Sequence, residues 1–383
     1  PRFFPFSLFF VSLLVPFFLF IFLLFAVWPA GHSQPHSSAL SALANNKNVT
    51  IAVDAMGGDH GPGVTVPAAI EAVRHDPDLR VILVGLAEPV RAALSASGRS
   101  FGDRVQVREA TQVVGMDEKP QEALRKKKDS SMRVAIDLVK SGEAHACVSA
   151  GNTGALMATG RFVLKTIEGI DRPAIISRIR ARHGHTHMLD LGANSQCTGQ
   201  HLFQFAVMGA VVASDMHGIE HPRVGVLNIG EEEMKGDSVV QEAAKLLSAS
   251  TLNYVGFVEG DDIFSGEVDV IVTDGFTGNV ALKSIEGLAK MIVGMAKAEY
   301  TRNPLRYMAA VASWPVLRSL KREMDPRAYN GASMVGLAGV VIKSHGSADV
   351  VSFRNAIRVA IVEARKGVPT QIANLLAAQP STH

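Results

Sequence analysis

The stretch that decides the fold is VTIAVDAMGGDHGP, residues 49–62, in which a largely apolar run is followed by Asp54, two adjacent glycines and a Gly-Pro turn. A strand that ends in a glycine-rich turn can bring backbone N–H groups close to a ligand, most simply a phosphate group. The glycines lie at 57, 58, 61 and 63, which fits neither G-x-G-x-x-G nor G-x-x-x-x-G-K-[ST]. The stretch therefore predicts a ligand-facing loop that lacks both standard nucleotide fingerprints.

The same succession of a short apolar run, a glycine-bearing polar loop and a helical pattern recurs along the chain. It is found in HACVSAGNTG (145–154), HMLDLGAN (187–194), VGVLNIGEEE (224–233) and DVIVTDGFTGN (269–279), and RVILVG (80–85) adds a buried strand. Runs that are apolar on both faces and alternate with helices predict a three-layer α/β/α fold on a mostly parallel sheet. Ligands bind at the carboxyl ends of such strands, so we expect the five loops to converge on one crevice.

Two of these units share the pattern G-x-T-G, at 151–154 and at 275–278, and each precedes a helical pattern. Unpaired N–H groups and the helix dipole favour an anion at a helix N-terminus, and phosphate is the natural candidate. The alternative is that the glycines only make tight turns and the threonines only cap the helices.

The chain has 383 residues, of which 47% are hydrophobic, enough for one large or two ordinary globular domains with a core and a plausible size for an enzyme. Arg2 and Lys47 account for the whole net charge of +2, so the rest of the chain is neutral and gives no support to nucleic-acid binding. The two cysteines, Cys147 and Cys197, form no disulfide framework, which favours a reducing compartment. Either thiol could carry an acyl group, but a free cysteine is more commonly a small core residue.

The first 28 residues differ from the rest, because they hold more than half of the chain's 18 phenylalanines and a single charge, Arg2. They are long enough to cross a bilayer, and a signal anchor, a cleaved signal peptide and a translated upstream stretch are all open interpretations. The initial Pro1 favours the upstream stretch. We expect residues 1–48 to be an extension with a polar linker, 49–372 to be the α/β domain and 373–383 to be a tail.

Three histidines, His183, His185 and His187, alternate and would share one face of a strand. Such a face could bind a metal, but the segment RIRARHGHTH also has the pattern of a polar hairpin between two strands. No helical histidine pair or cysteine completes a metal site, so the sequence predicts the hairpin and no metal.

Six segments together resemble a known family. They are IAVDAMGGDHGP, SSMRVAIDLVKSGEAHACVSAGNTGALMATG, LDLGAN, VGVLNIGEEEMKGD, TDGFTGNVALK and YNGASMVGLAGVVIKSHG. From about Val49 to about Pro369 they are similar, in order, to segments of the bacterial phosphate acyltransferases, the PlsX family of phospholipid synthesis. The extension before Val49 is not part of the family pattern, and Ser195-Gln196 stands before Cys197 where the family commonly carries an acidic pair.

The resemblance implies a reaction in which acyl-acyl carrier protein and inorganic phosphate give acyl phosphate and free carrier protein. It implies a fold similar to phosphotransacetylases and to isocitrate/isopropylmalate dehydrogenases, no cofactor, and a cytoplasmic homodimer that associates peripherally with an anionic membrane surface. There the acyl phosphate would pass to a membrane acyltransferase that acylates glycerol 3-phosphate.

The residue types suit that chemistry, because phosphate is already an anionic nucleophile and the displaced thiol has a pKa of about 8.5. Positioning and oxyanion stabilisation are then the main requirements, which backbone N–H groups, amides and cations can meet. As catalytic candidates we take Asn194, Asn228, Glu232 and Lys235. As phosphate- or substrate-binding candidates we take Asp54, Gly57, Gly58, Asp59, Gly151, Asn152, Thr153, Gly154, Asp190, Asp274, Gly275, Thr277, Gly278 and Asn279.

Structural roles remain open for the acidic candidates. Aspartates at strand ends often only cap neighbouring N–H groups. The run Glu231-Glu232-Glu233 can begin a helix, with Glu231 paired to Lys235 four residues later.

Two basic segments suggest partner surfaces. For an acidic carrier protein the candidates are Arg125, Lys126, Lys127, Lys128 and Arg133, although a solvated helix face is the plainer interpretation. Residues 300–325 predict an amphipathic helical hairpin in which Leu305, Met308, Trp314 and Arg318 would contact a membrane. The alternative for this hairpin is packing at a dimer interface.

Two other functions stay open. A phosphotransacetylase that uses acyl-CoA would have the same fold, and a non-catalytic module that docks to acyl carrier protein or membrane would need only the basic segments. A dehydrogenase is disfavoured because the nucleotide fingerprint is absent from the sequence.

Overall fold

The computed structural model describes residues 48–98, 101–232, 234–323 and 325–380. The expected extension, apart from Asn48, and Glu233 of the acidic run lie outside them. The strands of the described residues are β1 (Val49–Asp54), β2 (Leu79–Gly85), β3 (Val105–Glu109), β4 (Ala146–Ser149), β5 (Ala174–Arg180), β6 (His185–Leu189), β7 (Arg223–Leu227), β8 (Asn253–Val258), β9 (Val270–Val272), β10 (Ala332–Val335) and β11 (Val340–Lys343).

The α-helices of the same residues connect these strands. They are α1 (Pro62–His75), α2 (Ala87–Ala96), α3 (Pro120–Lys126), α4 (Ser131–Lys140), α5 (Thr153–Leu164), α6 (Gly199–His217), α7 (Ser238–Ser248), α8 (Gly275–Thr301), α9 (Pro304–Ala312), α10 (Trp314–Glu323), α11 (Val350–Lys366) and α12 (Val368–Ala377). All five apolar runs that the sequence marks as strands before glycine-bearing loops are strands, and RVILVG lies in β2.

The strands form one sheet in the order β3-β2-β1-β4-β11-β10-β5-β6-β9-β7-β8. Five strands at one end, β3 to β11, are mutually parallel, and so are the four at the other end, β6 to β8. Between them β10 is antiparallel to both neighbours and β5 is antiparallel to β6. The two parallel groups consequently run in opposite directions. The expectation that the five loops converge on one crevice assumed a single strand direction and did not take this reversal into account.

Helices cover both faces of the sheet, as the three-layer fold requires. On one face the core residues come from α1, α11, α6 and α12, and Met216 packs against both of its clusters. On the other face α4, α5 and the first turns of α8 pack against the sheet, with Met157 joining the clusters. Since side chains on both faces of the central strands are buried, these strands are almost wholly apolar.

The segment RIRARHGHTH is the predicted hairpin, because β5 pairs antiparallel with β6 through a short turn. His185 and His187 lie on β6, and both imidazoles contact His217 of α6: His185 stacks on it with ring centroids 5.3 Å apart, and His187 packs against it in a tilted arrangement at 5.0 Å. Burial keeps the pKa of His187 well below its usual value. His187 therefore packs on the sheet as a neutral ring.

Helix α12 continues through residue 372, where the sequence placed the beginning of a tail. Ala373, Leu375 and Leu376 pack against the core cluster that α6 forms with the sheet. Apolar packing thus extends the domain to the end of α12.

The predicted hairpin within 300–325 consists of α9 and α10, with Asn303 capping α9 and Pro315 in the first turn of α10. Its apolar side chains are exposed, and Leu305, Met308 and Trp314 retain 76%, 68% and 62% of their accessible surface. None of the helices in the described ranges has the length and hydrophobicity needed to span a bilayer.

A close approach of α8 to β6 gives a stability prediction. A Cβ added to Gly278 would collide with the backbone carbonyl of Asp190, whereas one added to Gly287 on the same helix would meet open space. We expect Gly278→Ala to lower the free energy of unfolding by about 1–3 kcal/mol or more, because backbone cannot move aside. Gly287→Ala should raise it by up to about 1 kcal/mol through helix propensity.

Chemical denaturation of both variants checks this. Equal stabilities of the two variants would contradict the packing of α8 on β6.

Candidate functional site

The carboxyl ends of β1, β4 and β11 meet around one buried carboxylate, Asp54. The Ser149 hydroxyl donates a hydrogen bond to Asp54 Oδ2 (2.6 Å), and the Gly151 N–H donates to Ser149 Oγ (3.0 Å). Asp54 and Ser149 are 1% and 0% exposed. The strand ends and the loop before α5 are thereby joined by a short hydrogen-bonded chain.

Glycines let these loops approach each other. A Cβ on Gly57 would lie 2.7 Å from both Asp54 Oδ2 and the Gly151 nitrogen. Gly58 adopts φ 86°, and its Cβ would lie 2.8 Å from the carbonyl of Gly346, which also accepts a hydrogen bond from the Asp59 N–H (2.9 Å). These glycines are therefore required for loop-to-loop packing, a use that is independent of any ligand.

Burial dominates the electrostatics of this cluster. It raises the pKa of Asp54, although hydrogen bonds from Ser131 and Ser149 act in the opposite direction. Burial, together with the Asp54 charge, raises the pKa of the Cys147 thiol well above its usual value. Cys147 is thus a protonated core thiol on β4.

Lys343 ends β11 beside Ser149, its register partner on β4. Its ammonium group donates to the carbonyl oxygen of Ala150 (3.2 Å) and to that of Ser344. Desolvation lowers the pKa of Lys343 to about 8, against the opposing influence of Asp54 and Asp59. The cluster therefore contains a largely buried cation as well as a buried carboxylate.

The first G-x-T-G pattern begins helix α5, as predicted, but Asn152 and not Thr153 is the capping residue. Asn152 Oδ1 accepts from the Ala155 N–H (3.0 Å), and its Nδ2 donates to the carbonyls of Met116 (2.8 Å) and Glu118 (2.9 Å). The N–H groups of Thr153 and Gly154 have no intrahelical acceptor, as at any helix N-terminus. Because the cap is neutral, the positive end of the α5 dipole remains available to an anion.

A second group of predicted residues surrounds Asp190, after β6. Its carboxylate accepts hydrogen bonds from the N–H groups of Ile175, Gly192, Ala193 and Asn194 (2.7 to 3.2 Å) and from the Asn194 side chain (2.9 Å). Asn194 Nδ2 also donates to the Pro173 carbonyl (2.8 Å). Asp190 and the Asn194 amide donor thus organise the turn, and their polar atoms are already used within the protein.

The second G-x-T-G pattern lies within the first turn of α8, where Asp274 is the cap. Its carboxylate accepts from the N–H groups of Phe276 (2.8 Å) and Thr277 (3.0 Å) and from the Thr277 hydroxyl (2.6 Å). Gly275 packs against Asn194, and Asn279 lies beside Gly192. A carboxylate of the protein therefore already occupies the anion-binding position of α8, which distinguishes it from α5.

The loop after β7 differs from its prediction. Glu231 and Glu232 do not begin a helix; α7 begins later, at Ser238, with Asp237 as cap. Lys235 pairs with Glu232 (2.6 Å), and not with Glu231, because the loop turns back on itself. Hydrogen bonding to Lys235 lowers the pKa of Glu232, so this exposed carboxylate is the ion-pair partner of Lys235.

Asn228 holds that same loop in place. Its Nδ2 donates to the carbonyls of Gly230 (3.0 Å) and Lys235 (3.2 Å). Its amide therefore supports the loop conformation.

The structure thus separates the predicted residues into two sets. The β1-β4-β11 set contains Asp54, Gly57, Gly58, Asp59, Gly151, Asn152, Thr153 and Gly154. The β6-β9 set contains Asp190, Asn194, Asp274, Gly275, Thr277, Gly278 and Asn279, with the β7 loop next to it. Three strands lie between β4 and β6, which run in opposite directions, and no hydrogen bond or ion pair of the described residues joins the sets.

Of these two sets, the β1-β4-β11 set has the features of an anion site. It combines a helix N-terminus with a neutral cap, a buried cation and closely packed glycine loops. Hydrogen-bond donors and a cation in this arrangement suit a phosphate group.

Residues that the sequence reasoning missed complete this set: Ser149, Lys343, Ser344 and Gly346. The segment VVIKSHG repeats the same pattern of apolar run and small polar loop as the five named units. That pattern, together with a lysine at the end of the apolar run, is the sequence signal that could have identified this segment as part of the site.

The basic segment borders this set, because α3 packs against α5. A Cβ on Gly154 would lie 2.8 Å from Pro120 at the start of α3. Lys127 pairs with Glu118 (2.6 Å) and donates to the Val113 carbonyl (2.6 Å), and Arg133 pairs with Asp137 (3.0 Å) and lies over the Phe162 ring. Lys127 is therefore a structural residue, while Arg125 and Lys128 are exposed.

Cys197 lies in the loop after β6, where its thiol donates to the Asn194 carbonyl (3.7 Å). Burial raises its pKa to about 11. Both cysteines are consequently protonated near neutral pH, which speaks against a covalent acyl-thioester intermediate.

Comparison with known proteins adds the family relationship. The family model described as fatty acid synthesis protein matches residues 49–371. The phosphate acyltransferase of Alkalilimnicola ehrlichii is 59% identical over 339 residues, which cover 88% of this chain and 99% of that protein. The phosphate acyltransferase of Methylococcus capsulatus is 59% identical over 323 residues, or 84% of this chain and 95% of that protein.

Solved structures with the same fold include two phosphotransacetylases. The enzyme of Streptococcus pyogenes superposes with a TM-score of 0.60 at 18% identity and covers 87% of this chain and 100% of its own. The EutD phosphotransacetylase of Staphylococcus aureus gives 0.57 at 17% identity, with 87% and 100% coverage. At these identities the likeness concerns the fold, and it agrees with the fold that the sequence resemblance implied.

Proposed function

The chain belongs to the phosphate acyltransferase family, and from this membership we propose that it transfers a fatty acyl group from acyl carrier protein to inorganic phosphate. The observation that carries the proposal is the 59% identity to phosphate acyltransferases across nearly their whole length. The family model's description, a fatty acid synthesis protein, agrees with a fatty acyl substrate.

The proposed reaction balances without a cofactor. An oxygen of the hydrogen phosphate dianion attacks the thioester carbonyl carbon, the C–S bond breaks, and the phosphate proton passes to the departing thiolate. The products are an acyl phosphate and the free thiol of the carrier. Because the nucleophile is anionic and the leaving thiol is a weak acid, positioning and charge stabilisation supply most of the catalysis.

The β1-β4-β11 set is the place we propose for this reaction. The N–H groups of Thr153 and Gly154 would face the phosphate, with Gly57, Gly58 and Gly151 allowing the loops to close around it. Of the two G-x-T-G loops that the sequence predicts as phosphate loops, only the one before α5 is kept in this proposal, because the Asp274 carboxylate already caps α8. The β6-β9 set and the β7 loop, whose strands run in the opposite direction, stay outside this proposed site.

The acyl carrier would dock on the exposed basic residues of α3 and the loop after it. These border the phosphate site directly, since Asn152 holds the carbonyls of Met116 and Glu118 just before α3. Acyl carrier proteins are acidic, so the exposed Arg125 and Lys128 offer charge complementarity beside the proposed phosphate site.

Two further surfaces suit the fate of an apolar product. Exposed apolar side chains on α8, among them Leu288, Met291 and Ile292, are placed to bury against a second copy. The α9-α10 hairpin, with Trp314 and basic Arg318, would lie in the headgroup layer of an anionic membrane. The protein would then be a cytoplasmic, peripherally bound homodimer that delivers acyl phosphate to a membrane glycerol-3-phosphate acyltransferase.

The experiment that tests the proposed function measures thiol release from an acyl donor with and without phosphate. Acyl carrier protein and CoA donors bearing the same acyl chain are compared. We expect phosphate-dependent release that is faster from the carrier protein. Faster release from acyl-CoA would favour a phosphotransacetylase, and release that is equal without phosphate would refute phosphate as acceptor.

Carrier docking is tested with Arg125→Glu combined with Lys128→Glu. We expect about a tenfold weaker Kd for acyl carrier protein, with less dependence on salt than in the wild type, because two favourable charge contacts are reversed. Lys245→Glu, at an exposed position on α7, is the matched control and should bind acyl carrier protein as the wild type does. An unchanged Kd in the double variant would remove this docking surface.

Membrane association is tested by flotation with anionic liposomes, using a chain that begins at Val49 so that the apolar extension contributes nothing. The chain with wild-type residues in the hairpin should float with the liposomes. Leu305→Ser combined with Trp314→Ser should reduce flotation at least severalfold, because the hairpin then has less apolar surface to insert into the headgroup layer. Sedimentation of the same variant separates the alternatives. A variant that loses dimerisation but still floats would assign the hairpin to the dimer interface.

A further inference from the structure

Lys343 is a largely buried cation for which the structure provides no ion-pair partner. Its ammonium group donates to the carbonyls of Ala150 and Ser344, and no carboxylate of the described residues lies within ion-pairing distance of it. An ammonium group has three donors, so one remains beyond these two carbonyls. Burying a charge without a counter-ion is costly, which makes the position unusual for a purely structural lysine.

The surroundings of Lys343 supply the other features of an anion site. Ala150 comes directly before Gly151 and Asn152, which lead into the positive end of α5. Asp54, the buried carboxylate whose charge influences Lys343, accepts a hydrogen bond from the Ser149 hydroxyl (2.6 Å) and so is held by β4 and not by the lysine. The two carbonyl contacts fix the ammonium group in advance, so little order is lost when an anion binds.

We propose that the Lys343 ammonium group is the counter-ion of the inorganic phosphate that this site uses as acyl acceptor. The inference rests on the proposed function and deepens it, because it names the cation that binds the second substrate. A compact ammonium acts here as a point charge beside backbone N–H groups, a combination that is well suited to phosphate.

A dependence on pH follows from the same burial. Asp54 on β1 and Asp59 in the loop after it are the charged groups that influence Lys343, and both favour its protonated form. Desolvation outweighs them and lowers the pKa to about 8. Because only the ammonium form can pair with phosphate, kcat/KM for phosphate should fall as the pH rises through about 8 in the free enzyme.

The experiment compares Lys343→Met, which keeps the length but removes the charge, with Lys343→Arg and with the control Lys245→Met. We expect Lys343→Met to raise the KM for phosphate about 10- to 100-fold, while the KM for the acyl donor stays within about twofold. Lys343→Arg should recover part of the loss. The alkaline limb near pH 8 should disappear in Lys343→Met and move to higher pH in Lys343→Arg.

Phosphate binding is measured separately from turnover, as the rise in Tm that phosphate produces. The wild type and Lys245→Met should be stabilised by phosphate and Lys343→Met should not. A folded Lys343→Met with unchanged phosphate KM and unchanged stabilisation would overturn the proposal. If Lys343→Met does not fold, an alkaline limb in the wild type that Lys343→Arg leaves in place would overturn it instead.

The two proposals fail in different ways. Absence of phosphate-dependent thiol release in the wild type would refute the proposed function alone. In that event, stabilisation by phosphate that is lost in Lys343→Met would still support Lys343 as the phosphate-binding cation.

Discussion

The buried carboxylate of Asp54 is the group on which the arrangement of the site depends. A carboxylate removed from water is tolerated only when hydrogen bonds replace its hydration, and the Ser149 hydroxyl provides the short bond that does so. Ser149 in turn receives the Gly151 N–H, so the start of α5 is tied to β1 through two hydrogen bonds. Gly57 and Gly58 leave the space in which this connection fits.

The same constraint explains why this edge of the sheet, and not the other, has anion-site features. Around Asp190 and Asp274 the carboxylates accept hydrogen bonds from the N–H groups of their own loops, so these donors are already used within the protein. Around α5 the capping group is the neutral Asn152 amide, and the buried cation of this set, Lys343, contacts carbonyls. An incoming anion would therefore find donors there that the protein itself does not occupy.

Much of the architecture could be predicted from sequence, because each buried strand is an apolar run that ends at a small polar loop. The reversal at β10 and β5 could not, since antiparallel pairing of short central strands depends on tertiary packing and leaves no local mark in runs such as ASMV. That reversal is why five loops with the same pattern do not form one set. The local pattern predicted the loops correctly, but it carried no information on the direction of the strands that precede them.

The sequence identified the segments that form the site better than it identified the roles of single residues. Thr153 and Thr277 lie in the same G-x-T-G pattern, yet the two helices differ in their capping residues. The neutral Asn152 leaves the N-terminus of α5 available to an anion, whereas the carboxylate of Asp274 already occupies that of α8. Glu232 pairs with Lys235 because the loop after β7 turns before α7, which spacing alone did not indicate. Lys343 was overlooked because its importance arises from burial beside β4, a property that only the fold creates.

The most direct test of the account follows the oxygen atoms of the acceptor. The protein is incubated with acyl-acyl carrier protein and ¹⁸O-labelled phosphate, and the acyl product is analysed by mass spectrometry. Direct attack by phosphate predicts an acyl phosphate that retains all of the phosphate label, including the oxygen that bridges carbon and phosphorus. A free fatty acid that has gained one oxygen from water and none from phosphate, formed at the same rate without phosphate, would contradict it.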